Sequence, residues 1–409
     1  MAIARAIREA LGSSSMIRKM FEEGNQLKKQ FGADKVFDFS IGNPDLDPPP
    51  AFHRVFLRLA EEDAKGSHGY MPNAGFPGVR EALAKKASRE QGVQLDASHI
   101  IMAAGAAGGL NVVLKSILNP GDELIVPQPY FMEYRAYAAN HGGRLIGVDT
   151  LPDFNLDIAA MGAALSERTA AVLINSPHNP TGRVYPAGAI TALADLLRDH
   201  GKKTGRFPCL VADEPYREIV YAGAAVPPIL SAYEESITVT SYSKSLSLPG
   251  ERIGYIAVNP AIRDRDEVLS ALIYATRVLG YVNAPALMQR IVAELTEERV
   301  DVATYARRRD AFKEILDKAG IPYADPEGAF YLFCQVPGDD RAFVEHLKQY
   351  RILGVPGSSF GKAGWVRFAY CVDEGVIRNS GDAFKKAMET WKDGSTAPQV
   401  SGAGYGFVP

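Results

Sequence analysis

The sequence predicts an α/β fold: a mostly parallel central sheet sandwiched by helices, with a smaller α+β domain. Three observations lead there. Residues 170–174 and 209–212 are apolar runs of strand length without polar alternation, and 237–240 is a β-branched run of similar length, as expected of buried strands. Helical patterns separate strands through this region, as right-handed crossovers between parallel strands require. After about residue 285 a long helical stretch is followed by short strands alternating with helices, which marks a second unit.

The chain has 409 residues and 46% hydrophobic content, enough to bury the cores of two or three domains. Its net charge is −3, from 45 basic and 48 acidic residues, so neither nucleic acid nor an anionic membrane is the expected partner and a small molecule is. Cys209, Cys334 and Cys371 lie far apart, each in or beside an apolar run, which points to core packing in a reducing compartment rather than to disulfides or a metal site. Arg5, Arg8 and Glu9 interrupt any signal-peptide core, and no run approaches the ~20 apolar residues of a membrane span, so a cytoplasmic protein is expected.

Taken in order, Met16, Ile17, Met20, Phe21, Leu27 and Phe31 recur at helical spacing, so residues 14–31 are expected to form an amphipathic helix leading into residues 36–40. Gly42-Asn43-Pro44 then breaks the chain. Between residues 51 and 91 two helical patterns flank the loop 69–75, in which Tyr70 by residue type is an anchoring aromatic. Residues 100–104 read as a strand, and Gly105-Ala106-Ala107-Gly108-Gly109 opens a helix to about residue 118. A Gly-rich strand-to-helix turn leaves backbone N–H groups free to bind phosphate, although this one lacks the spacing of a dinucleotide or nucleotide loop. After a turn at 119–122 comes a short strand, 123–127, and then Tyr130 and Phe131, either of which offers a flat face for stacking.

The strand 170–174 ends in Asn175-Ser176-Pro177-His178-Asn179-Pro180-Thr181-Gly182, where His178 reads as a solvated loop residue. A helix from about 187 to 202 follows. The next strand ends in Asp213 and Glu214, and carboxylates there need partners because desolvated charge is costly. The strand from Ile237 ends in Ser241-Tyr242-Ser243-Lys244, with Gly250, Arg252 and Gly254 beyond, so a lysine stands among hydroxyls where open α/β sheets bind ligands. The pattern from 283 to 320 is helical, strands are expected at 329–334, 352–355 and 365–370, and Arg367 lies inside the last, where a planar guanidinium suits a carboxylate. Residues 393–409, rich in Gly, Ser and Pro, read as a mobile tail.

Ser-x-Ser-Lys followed by Gly250, Arg252 and Gly254 resembles the cofactor-lysine motif of class I/II aminotransferases, the fold-type I pyridoxal-phosphate enzymes. Four further motifs follow the family order, and the resemblance runs from about residue 40 to residue 377. It implies pyridoxal 5'-phosphate as a Schiff base on Lys244, with Asp213 on the ring nitrogen, Tyr216 on the ring oxygen and Asn179 on the ring hydroxyl. Phe131 or its neighbour Tyr130 would stack on the ring. Arg252 and the turn Gly105, Ala106 and Ala107 would hold the phosphate, the two alanines through backbone donors only, and Ser241 and Ser243 would also bind the cofactor. Tyr70 would reach the phosphate of the neighbouring subunit, which requires a homodimer. Gly42, Asn179 and Arg367 would meet the substrate, with Arg367 clamping its α-carboxylate.

In domain terms the resemblance implies an N-terminal arm at 1–45, a large cofactor-binding domain at 46–285, a small C-terminal domain at 286–392 and the tail. The implied activity is ping-pong transfer of an amino group from an L-amino acid to a 2-oxo acid. A C–S lyase or decarboxylase on the same fold is the alternative, and a non-enzymatic regulator a remote one, since no added DNA-binding segment or basic bias is present. Where relatives place a lysine to read a side-chain carboxylate this chain has Ala106, and Arg277 lies one residue out of register with the position of a second reader. Neutral or aromatic substrates are therefore expected ahead of aspartate, with 2-oxoglutarate or pyruvate as acceptor.

Overall fold

The computed structural model describes residues 16–221 and 223–391, with residues 3–5, 7 and 8 before them. The strands in chain order are β1 (Phe37–Asp38), β2 (Ile100–Ala103), β3 (Glu123–Gln128), β4 (Arg144–Asp149), β5 (Thr169–Asn175), β6 (Cys209–Asp213), β7 (Ser236–Ser241), β8 (Gly254–Val258), β9 (Tyr323–Ala324), β10 (Tyr331–Gln335), β11 (Ile352–Leu353), β12 (Val355–Pro356) and β13 (Trp365–Ala369). Seven of them form a central sheet in the order β2-β8-β7-β6-β5-β3-β4. All its neighbours are parallel except that β8 runs antiparallel to both β2 and β7. Every residue of β5 and β6 is buried, as their unbroken apolar runs require of strands covered on both faces.

The helices Gly105–Ile117 and Arg265–Val278 pack on one face of this sheet, while Ile158–Ala164 and Ala187–Thr204 cover the other. Strand β4 and the antiparallel β8 are the strands of this sheet for which the sequence raised no expectation. In β4 only Val148 is buried, because it closes an edge, and so the strand carries little apolar signal.

The C-terminal half departs from expectation in two places. The helical stretch 283–320 is two helices, Ala286–Glu294 and Val302–Ala319, and the second starts where the Asp301 carboxylate caps the Ala303 N–H at 3.0 Å. The strand expected at 352–355 is divided at Gly354: β11 pairs in parallel with β1, and β12 pairs antiparallel with β13. A second sheet, β12-β13-β10-β9, is antiparallel throughout. Residues 14 and 15 of the first helix and the tail 393–409 lie outside the described residues; Met16–Phe31 is helical.

Phe39, just past β1, joins the N-terminal segment to the second sheet. Its N–H donates to the Leu353 carbonyl at 3.0 Å, and its carbonyl accepts from Ala369 N–H at 2.8 Å. Its fully buried ring lies 4.5 Å from that of Phe312 and about 6 Å from Phe368 and Phe384. The three cysteines are free and buried in these cores. Among the described residues no helix is long and apolar enough to cross a membrane.

Because the Phe39 ring is enclosed on all sides, truncation leaves a cavity that its aromatic neighbours cannot close. Phe39→Ala should cost about 3–5 kcal/mol of stability in equilibrium urea denaturation. A loss below about 1 kcal/mol would mean that this segment does not depend on the cluster.

Candidate active site

Strands β5, β6 and β7 end side by side, and the loops that leave them form the floor of a cavity of about 340 Å³. Asn175, the last residue of β5, ties the floor together. Its Nδ2 donates to the Asp213 carbonyl at 2.8 Å and its Oδ1 accepts from the Asn179 N–H at 2.7 Å, so one side chain sets both the neighbouring strand end and the loop.

Strand alternation separates the two carboxylates that end β6. Asp213 faces the cavity, where its Oδ2 accepts from the Tyr134 hydroxyl at 2.6 Å and its buried Oδ1 has no partner. Burial pushes its carboxyl up to about 7, with the Tyr134 hydrogen bond pulling the other way. Glu214 turns behind the sheet and accepts from Gln91 and Arg217, each at 2.8 Å. Tyr216 lines the cavity with its hydroxyl 2.7 Å from that of Tyr331.

Lys244 sits on the single helical turn Tyr242–Ser245 that follows β7. Its Nζ enters the cavity and donates to the Gly42 carbonyl at 2.7 Å. Burial lowers the ammonium to about 8, and the positive fields of Arg367 and Arg252 add to this, while Cys371 opposes it. Gly42 itself has no room for a side chain, since a Cβ there would stand 2.0 Å from the Tyr331 hydroxyl.

Arg252 and the N-terminus of the helix Gly105–Ile117 meet across one wall. Gly105 has φ +72°, and a Cβ on it would lie 2.7 Å from Arg252 Nη2, so glycine is required twice over. Ala106, Ala107, Ser241 and Ser243 line the cavity around this positive end. A helix N-terminus beside a guanidinium is an anion site.

Arg367 closes the opposite wall from β13. The guanidinium is buried; Nη1 donates to Asn179 Oδ1 at 3.0 Å, Nη2 donates to the Ser40 carbonyl at 2.7 Å, and Nε has no partner. It lies 4.5 Å from the ring centre of Tyr331 and 5.0 Å from that of Phe360, which hold its plane.

Of the residues singled out in the sequence, Gly42, Ala106, Ala107, Phe131, Asn179, Asp213, Tyr216, Ser241, Ser243, Lys244, Arg252 and Arg367 line this one cavity, and Gly105 backs it. Phe131 is the aromatic that faces it. Tyr130 is instead buried, with its hydroxyl accepting from Arg135 at 2.8 Å. Tyr70 is 93% exposed, and Arg277 is exposed and stacked on Tyr274; neither lines the cavity of this chain. His178, expected in solvent, is buried, with Nδ1 2.8 Å from Thr181 Oγ1, and burial drives its imidazole down to about 3. Sequence reasoning missed Glu133, Tyr134, Tyr137 and Tyr331 in the lining. The run Glu133-Tyr134-Arg135-Ala136-Tyr137 directly after Phe131 is the signal that could have found the first three, since residues 134 and 137 share a helix face.

The sequence model of the family "Aminotransferase class I and II" matches residues 34–384. The chain is 32% identical to the aspartate/prephenate aminotransferase of Thermus thermophilus over 376 residues, which cover 89% of this chain and 93% of that one. It superposes on an amino transferase from Eubacterium rectale with a TM-score of 0.92, at 37% identity and covering 95% of this chain and 99% of that one. The Thermus thermophilus aspartate aminotransferase solved with maleate gives a TM-score of 0.85 at 29% identity, covering 95% and 100%. The chain belongs to the class I and II aminotransferases, a family dependent on pyridoxal phosphate. It is a transaminase with the α/β fold of its aspartate aminotransferase neighbours, and the comparisons favour amino transfer over elimination, decarboxylation or a regulatory role.

The raised carboxyl of Asp213 has a consequence for the protein without cofactor. Folding raises its affinity for a proton, so the stability linked to it is full below the ordinary carboxylate value and lost as pH rises toward about 7. Between pH 5.5 and 7 the cofactor-free protein should lose roughly 2 kcal/mol through this group. Asp213→Asn should flatten the urea-denaturation profile by that amount, leaving the slope from Glu214, which burial also raises to about 7. An unchanged slope would show that Asp213 is not buried unpaired.

Proposed function

We propose that this chain transfers the amino group of an L-amino acid to a 2-oxo acid with pyridoxal 5'-phosphate held covalently on Lys244. The observation that carries this is the convergence on one cavity of a buried amine lowered to about 8 and a buried carboxylate oxygen without a partner, Asp213 Oδ1. The first is an amine able to be neutral, and the second is an acceptor left for a protonated ring nitrogen. When bound, the cofactor supplies an aldehyde that exchanges amines and a ring that takes up the electrons of the broken Cα–H bond.

The positions of the side chains support the following roles. Arg252 and the N-terminus behind Gly105 bind the phosphate, with Ser241, Ser243 and the backbone of Ala106 and Ala107 beside them. Phe131 covers one face of the ring, and Asn179 and Tyr216 bond its oxygen. Asp213 holds the proton on the ring nitrogen, and Tyr134 orients Asp213. Lys244, released by the incoming amine, moves the proton off Cα as general base. Arg367 receives the substrate α-carboxylate, for which its unpartnered Nε remains free, and Gly42 leaves room beside it.

In this reading residues 46–285 form the cofactor domain, and 286–392 with 1–45 form the smaller one that closes over the substrate. Tyr70, exposed in the single chain, reaches the phosphate of a second copy in a homodimer. Three free buried cysteines suit a cytoplasmic, reducing setting. Ala106 offers no charge to a side-chain carboxylate and Arg277 lies outside this chain's cavity, so among the described residues a dicarboxylic donor finds no lining cation beyond Lys244, Arg252 and Arg367.

Borohydride treatment of the yellow holoenzyme should label one peptide, containing Lys244; label on another lysine sinks the assignment. Lys244→Ala should lose turnover by roughly 10³-fold or more yet still bind the cofactor. Because the amine must be neutral to react, cofactor uptake by the apoprotein should speed up about tenfold per pH unit and level off above about pH 8.

Arg367→Lys should raise KM for every amino acid, since an ammonium cannot replace a planar fork. Tyr70→Phe should weaken cofactor binding in a protein that light scattering reports as a dimer; a monomer removes that contact.

A further inference from the structure

Once the roles above are assigned, one charged group in the cavity is left over. Glu133 begins the helix Glu133–Asn140 and lines the cavity between Phe131 and Tyr134. Its Oε2 is shut off from solvent and has no hydrogen-bond partner. A first-turn glutamate suits a helix N-terminus, but that explains the sign of the charge and not a buried oxygen without a donor. The neighbouring cations are committed elsewhere: Lys244 to the Gly42 carbonyl, Arg367 to Asn179 and Ser40, and Arg252 to the far wall. Burial raises the Glu133 carboxyl, and its own backbone N–H and the positive field of Arg367 partly offset this.

We propose that Glu133 reads the substrate side chain, and that the preferred amino donor is a basic L-amino acid whose side chain ends in a cationic nitrogen. This rests on the transaminase reading of the cavity. With its α-carboxylate on Arg367 and its α-amine toward Lys244, a basic substrate extends a cation across a cavity lined by Glu133, whose Oε2 has no partner. The charge-assisted bond satisfies an oxygen that otherwise remains desolvated and alone. A side-chain carboxylate meets the same oxygen as a repulsive or unpaired neighbour, and an apolar side chain leaves it unsatisfied. The reaction is unchanged: the amine leaves Cα, the donor becomes its 2-oxo acid and the acceptor 2-oxo acid takes up the amine, so no outside oxidant is consumed.

The test uses the holoenzyme with one 2-oxo acid and compares kcat/KM for L-lysine, L-ornithine and L-arginine with L-methionine, L-phenylalanine and L-aspartate. At least one basic amino acid should lead the series in the wild type, and in Glu133→Gln its kcat/KM relative to methionine should fall by ~10²-fold. The wild-type series needs no variant, so a poorly folding Glu133→Gln leaves the inference open to refutation. Transfer from aspartate or methionine ahead of all three basic amino acids overturns the inference and leaves the transaminase reading standing. A ratio unchanged in a folded Glu133→Gln also overturns it. No amine transfer from any amino acid, with cofactor bound, overturns both.

Discussion

The need to bury charge at the end of a dry sheet governs the rest of this structure. Asp213 closes a strand on which every residue is buried, and its carboxylate receives one donor, Tyr134, for two oxygens. An unsatisfied buried oxygen costs ~1–3 kcal/mol, and it persists because the surroundings are over-determined. Asn175 holds the Asp213 backbone, and Tyr134 is itself buried against Phe131. The fold thereby keeps a strong acceptor aimed at a cavity instead of letting it relax, at the expense of stability above neutral pH.

The cavity is balanced toward anions. Lys244, Arg252 and Arg367 stand against Asp213 and Glu133, and the mutual repulsion of the cations adds to burial in lowering Lys244. A ligand that brings a phosphate and a carboxylate relieves this repulsion. Arg367 also serves as a mechanical link. Its two hydrogen bonds join the second sheet to the loop after β5 and to the N-terminal segment at Ser40, and Lys244 bonds the same segment at Gly42. Three stretches of chain far apart in sequence therefore meet at one wall of the cavity, and a molecule that competes for Arg367 or Lys244 acts on all three. The same convergence explains why glycine stands at 42 and 105, where neighbouring side chains occupy the space of a Cβ.

The residues legible in the sequence were those whose local chain already carries the message. Unbroken apolar runs marked β5 and β6, because strands covered on both faces have no polar alternation to hide them, and a β-branched run marked β7. The Pro- and Gly-rich segments after β5 and β7 marked the loops, and the hydroxyls before Lys244 marked a ligand site, because turn chemistry is local. What was missed depends on neighbours distant in the chain. His178 looks solvated among prolines and polar residues, yet it is buried beside Tyr185. Strand β4 has an edge strand's weak pattern, and residues 352–355 look like one strand until two different sheets claim its halves. Tyr134 and Glu133 look like an ordinary helix start, since nothing local says that the helix abuts Asp213.

By itself the sequence determined the class of fold and the order of its central strands' runs, because periodicity and strand-end polarity are properties of short segments, while its resemblance to a known family implied most of the lining of the site. The tertiary structure alone decided which partner each buried charge has: Tyr134 for Asp213, Gln91 and Arg217 for Glu214, Asn179 and Ser40 for Arg367, and none for Oε2 of Glu133. The reason is that desolvation and pairing are set by atoms brought together from far along the chain, and the depressed lysine and raised aspartate follow from that packing and not from their neighbours in sequence.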